Sequence, residues 1–153
     1  MYAQILTLLI VASMALATPR ILIYSATAGY RHDSIPTATA ALKQLGQENN
    51  IAFDSTEDEN QFNDSNLANY DALLFLSNSD EGKPKTSALP ATAYTGASHA
   101  VLNDSGKQAF KNYLNKGGNY VGIHAASACL FNTTFYQKEV GALFDYHPDL
   151  QAV

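Results

Sequence analysis

The chain has only one cysteine, Cys129, among its 153 residues. A single thiol excludes an intrachain disulfide framework and any thiolate cluster for zinc. Charge is sparse as well. Asp, Glu, Lys and Arg make up 15% of the residues, with a net charge of −5. There is no basic run of the kind that neutralises phosphates, which argues against a nucleic-acid binder. The longest apolar run, Ile5 to Leu16, is too short to span a bilayer comfortably. What remains is a composition that is 46% hydrophobic, enough for one globular domain with one core.

That apolar run has the length of a signal-peptide core. It ends in Ala15-Leu16-Ala17, a small-x-small pattern, followed by Thr18-Pro19. The basic flank is missing, and a buried N-terminal helix is the alternative. Residues 1–17 are expected to be a signal peptide and 18–153 the domain. Three glycosylation sequons agree with export: Asn63-Asp64-Ser65, Asn103-Asp104-Ser105 and Asn132-Thr133-Thr134. The expectation is a secreted, extracellular glycoprotein with no membrane contact after cleavage. Cys129 would then be a buried, inert thiol.

Strand-like and helix-like segments alternate after the leader. Ile21–Ser25 and Ala72–Leu76 are continuous apolar runs, as in strands buried on both faces; Ile51–Ser55 and Tyr120–His124 are expected as two more. Ser34 precedes a helical pattern with Pro36 in its first turn and Gly46 near its end. Asp64 or Ser65 starts a short helix through Tyr70. Asp104 or Ser105 starts another, closed by Lys116-Gly117-Gly118. The alternation predicts an α/β fold, an open parallel sheet with helices on both faces. Residues 77–103 have no period and read as an insertion. Four strands leave an open sheet short of its usual number, so the domain is expected to be truncated or a fragment.

Ligands of open α/β sheets bind beyond the carboxyl ends of the strands. After the first strand come Gly29, Tyr30, Arg31 and His32: a tight turn, then a fixed cation and a titratable ring at the start of a helix. Alternatively, Arg31 pairs with an acid such as Asp58 and His32 caps the loop. Asp58 itself follows the second strand and is a candidate partner for His32 or a ligand hydroxyl. Gly122-Ile123-His124-Ala125-Ala126 has the form of a nucleophile elbow whose apex is imidazole rather than hydroxyl or thiol. There His124 is a base, a metal ligand or a hydrogen-bond donor, or it is merely satisfied by backbone and packing. His147, before Pro148, reaches the site or marks a turn. His32, His124, His147 and Asp58 offer nitrogen and oxygen ligands suited to zinc, but without a short ligand motif.

Five blocks in order, T-A-G-Y-R-H-D-S-I-P, T-E-D, Y-D-A-L-L-F-L, G-G-N-Y-V-G-I-H-A-A and Y-H-P, resemble the ThuA-like (trehalose utilisation) domain family. The likeness runs from about Arg20 to the end of the chain. It implies a flavodoxin-like sheet within the class I glutamine amidotransferase-like superfamily. His124 stands where true amidotransferases carry cysteine, so glutamine hydrolysis is not expected. The resemblance implies processing of disaccharides or keto-sugars, by a hydrolase or lyase, on a small carbohydrate ligand. His124 and His32 would carry protons there, with Gly29, Tyr30, Arg31, Asp58 and His147 binding substrate. A non-catalytic glycan-binding module is the alternative from another class, and an inactive fragment is a third reading.

Overall fold

The computed structural model describes residues 17–81 and 100–146. The expected leader up to Met14-Ala15-Leu16, most of the expected insertion, His99 and His147 lie outside the described residues.

The two continuous apolar runs become the central strands, because pairing on both sides satisfies their backbones while both faces stay dry. The strands are β1 (Arg20–Tyr24), β2 (Ala52–Thr56), β3 (Ala72–Leu76) and β4 (Asn119–Ile123). They form one sheet of order β2-β1-β3-β4, and every pairing is parallel. Period-two alternation splits the central strands between two layers. Leu22, Tyr24, Leu73 and Phe75 face one side; Ile23, Leu74 and Leu76 face the other.

The helices follow from where the strands leave apolar faces bare. Helix α1 (Ile35–Asn49) lays Ala38 and Leu42 over Ile23, Leu74 and Leu76. The opposite face is covered by α2 (Asp64–Leu67), α3 (Asp104–Asn115) and α4 (Thr134–Val140). Its core is aromatic. Phe75 stacks on Phe110 with ring centroids 5.1 Å apart, and Tyr24, Phe62, Tyr120 and Tyr136 close around them.

Helix α1 runs three residues beyond Gly46, the expected end. Gly46 serves contact instead: a Cβ there would lie 2.5 Å from the Ile51 carbonyl oxygen and 2.6 Å from the Phe53 ring. The helix stops at Asn50, in the left-handed conformation at φ 55°, whose N–H returns to the Gly46 carbonyl. Helix α3 begins after Asn103, whose side chain accepts from the Gly106 N–H, and the chain leaves it through Gly117 at φ 88°.

After β1 the chain moves outward to β2, then crosses back over β1 to β3. The winding direction therefore reverses between β1 and β3, which leaves a crevice beyond their carboxyl ends.

Candidate functional site

Three loops meet over that crevice, and their backbones prolong the sheet. Thr27, Ser79 and Ala128, which follow β1, β3 and β4, lie side by side in parallel bridges. The Ser79 carbonyl accepts the N–H groups of both Ala28 (2.7 Å) and Gly29 (3.0 Å), and its hydroxyl donates to the Tyr30 carbonyl (2.6 Å). Ser77, Asn78 and Ser79 open the stretch expected as an insertion, yet they are buried. Val101 and Leu102, near its other end, belong to the core.

His124 has the elbow conformation. It leaves β4 at φ 54°, in the left-handed region that crowds any residue with a Cβ, and opens a single 3-10 turn, His124–Ser127. The small residues around it are there for space. A Cβ on Gly122 would lie 2.7 Å from the Tyr120 hydroxyl and 3.3 Å from the Ala126 Cβ. Behind the turn, the buried Tyr136 hydroxyl donates to the Ala126 carbonyl (2.6 Å) and pairs with the Tyr120 hydroxyl (2.7 Å). Burial pushes the Tyr120 phenol up to about 12, so at neutral pH these hydroxyls remain neutral struts.

The elbow aims the imidazole at the β1 loop. The rings of His124 and His32 meet edge to face, with centroids 4.5 Å apart, and Tyr30 meets His32 in the same manner at 4.8 Å. Together they border a cavity of about 700 Å³ whose other walls include Gly29, Asp80, Phe131, Phe144 and Asp145. That volume lies within the range of small-ligand sites, about 300–1,000 Å³. Aromatic walls with a few convergent polar groups are the usual make-up of such sites.

Four of the residues expected at the site, Gly29, Tyr30, His32 and His124, thus line one cavity. Arg31 points elsewhere. Its guanidinium grips Glu57 through two hydrogen bonds of 2.7 and 3.0 Å, which hold its proton more firmly than usual. Asp58 does not reach the cavity either. Its carboxylate caps the turn Glu59–Gln61 by accepting from the Asn60 N–H (2.9 Å), and that bond lowers its pKa. Neither ion pairing nor capping consumes the pair of histidines.

Asp80, Asp145, Phe131 and Phe144 line the cavity without having been singled out in the sequence. Asp80 was within reach of the strand-end rule, because Ser77-Asn78-Ser79-Asp80 follows the clearest apolar run directly. Burial raises the pKa of its carboxyl, and hydrogen bonds from the Val101, Leu130 and Phe131 N–H groups oppose that rise. Cys129, fully buried, donates to the Ala126 carbonyl, and burial pushes its thiol up, away from thiolate chemistry. Among the described residues no group of three or more His, Cys, Asp or Glu side chains is placed to hold a metal ion.

Comparison with known proteins agrees with this architecture. A crystal structure of a ThuA-like protein from Bacteroides uniformis is similar, with a TM-score of 0.57 and 22% identity. The match covers 82% of this chain and 45% of that one, so the chain spans less than half of that protein's length. At this identity the likeness is one of fold. No protein of curated function matches. The model of the ThuA family, described by trehalose utilisation, matches residues 20–153, nearly the whole span from the first strand onward. A match over that length makes the chain a member of the ThuA family, and the parallel sheet agrees with it.

Proposed function

We propose that the cavity at the strand ends takes a small carbohydrate, of the disaccharide or keto-sugar class, and acts on it by acid–base chemistry. The edge contact of His32 and His124, two imidazoles 4.5 Å apart on one wall, is the observation that carries this reading. Imidazole is the side chain that gives and takes protons near neutral pH. Two of them side by side can serve one sugar ring, one removing a proton from a hydroxyl or an acidic C–H while the other protonates the departing or opposite oxygen. Phe131, Phe144 and Tyr30 supply apolar surface for the C–H face of a sugar. The family description, trehalose utilisation, supports the same ligand class.

His147 and a zinc ion belong to this proposal only as additions to the pair, and Arg31 and Asp58 as residues outside the cavity wall. Secretion is part of the reading, supported by the leader-like run and by the exposed sequons Asn63, Asn103 and Asn132. A glutamine amidotransferase reaction does not fit, because the elbow presents imidazole and the one thiol is buried.

The test pairs thermal melts with product analysis by NMR. Trehalose and keto-disaccharides are added to the wild type and to His124→Ala. The class that binds should raise the melting temperature, with about 2.7 kcal/mol of stabilisation at a hundredfold excess over Kd. Product should accumulate with the wild type and not with the variant. No shift with any sugar, or undiminished turnover in His124→Ala, overturns the proposal. Saturable binding without product in the wild type would replace it with a glycan-binding module.

A further inference from the structure

The three site loops share one residue. Asp80 follows β3, and its own N–H donates to the Ala128 carbonyl beyond β4 (3.1 Å). Its carboxylate accepts the Leu130 N–H at Oδ2 (2.5 Å) and the Val101 N–H at Oδ1 (2.8 Å), and a further bond from the Phe131 N–H. On its other side the β1 loop comes so close that a Cβ on Gly29 would lie 2.3 Å from the Asp80 carbonyl oxygen. One residue thus touches the loop that carries Tyr30 and His32. It also holds the loop that carries His124 and Phe131, and the segment that enters α3.

We infer that Asp80 is a positioning residue, whose carboxylate seats the β4 loop against the β1 loop and thereby holds His32 and His124 in contact. The assignment rests on the cavity being the functional site, but the contact itself can be observed without any sugar. Chemistry explains why a carboxylate is used. Three N–H groups converge on two oxygens, and a carboxylate offers acceptors on both. An amide would turn one oxygen into an NH₂ group facing an N–H donor. Leu130 needs this anchor in particular, because it is itself held in the left-handed region at φ 53°. A loop in that conformation relaxes unless its surroundings over-determine it.

The experiment is histidine ring NMR on the full chain. The signals of the four histidines are assigned with His32→Gln and His124→Gln. The wild type should show a cross-peak between the His32 and His124 rings. In Asp80→Asn that cross-peak should vanish, and any sugar that the wild type turns over should be turned over about tenfold more slowly or worse, as expected when reacting groups are misplaced. Tyr24→Phe is the comparison variant. It removes another buried tie to the same segment, the hydroxyl that donates to the Val101 carbonyl, without touching the β4 loop. That variant should melt earlier and keep the cross-peak.

Retention of the cross-peak in Asp80→Asn overturns the inference. So does its equal loss in Tyr24→Phe, since the role would then be general stability. If Asp80→Asn does not fold, amide exchange in the wild type decides. The Val101, Leu130 and Phe131 N–H groups should be protected together, and free exchange of any of them refutes the anchor. A wild type that binds no sugar would sink the carbohydrate reading while leaving the cross-peak test of Asp80 intact.

Discussion

Replacing His124 separates the strain of the elbow from the chemistry of its ring. At φ 54° the Cβ crowds the following carbonyl, a cost of about 1–2 kcal/mol for a residue with a side chain. His124→Ala keeps that Cβ and therefore keeps the strain. His124→Gly removes it, but frees the unfolded chain by roughly 0.5–1 kcal/mol. The difference leaves the glycine variant more stable than the alanine variant by about 0.5–1 kcal/mol. In a chain of this size that is about 1–4 °C in melting temperature. Both variants lack the imidazole, so both should lose turnover equally, and urea titration or calorimetry reads the strain alone. An alanine variant as stable as the glycine variant would refute the strained-elbow argument. It would mean that the turn relaxes at no cost, and that the ring is not held toward His32 by the backbone.

The remaining predictions probe the supports of the site. Tyr136→Phe removes a fully buried hydroxyl and leaves the Tyr120 hydroxyl without its acceptor. It should cost about 1–3 kcal/mol in urea unfolding. Gly29→Ala drives a Cβ into the Asp80 backbone and should destabilise by about 1–3 kcal/mol while weakening ligand binding, read by melting with and without sugar. Cys129 should resist a thiol-specific reagent in native protein and react only as urea opens the fold, since burial both hides the thiol and keeps it protonated.

The elements were legible where local pattern suffices. Ala72–Leu76 is apolar at every position and occupies the centre of the sheet. The glycine pair after α3 ends it, because Gly117 adopts a conformation few other residues tolerate. Gly46 misled, since a glycine at a close helix–strand contact reads the same as one at a helix end. Helix α4, with seven residues, is too short to show a period.

At the site, the strand-end rule found His32 and His124 separately, and the elbow pattern anticipated the left-handed turn. Their mutual contact depends on the β1 loop lying against the β3 loop, which no local pattern encodes. Arg31 shows the same limit. An acidic partner was foreseeable, but Glu57 rather than Asp58 holds it, since Asp58 turns back to cap its own helix. The polar run Ser77-Asn78-Ser79-Asp80 looked like surface loop by composition. Its first three residues are buried because its side chains bond across the fold, to Ala26, Tyr30, Val101 and Leu130.

Each of the three sequon asparagines stands just before a helix that leaves a strand: Asn63 before α2, Asn103 before α3, Asn132 one residue further back from α4. The start of α3 lies at the cavity end of the parallel sheet, whereas Asp64, beside Asn63, accepts from Asn112 near the opposite end of that helix. Asn63 and Asn103 each accept a backbone N–H and a serine hydroxyl through their amide oxygens, and the Asn63 nitrogen also donates to the Asn60 carbonyl (2.9 Å). An oligosaccharide on Asn103 would therefore stand at the cavity end of the sheet, and one on Asn63 along the flank of α3.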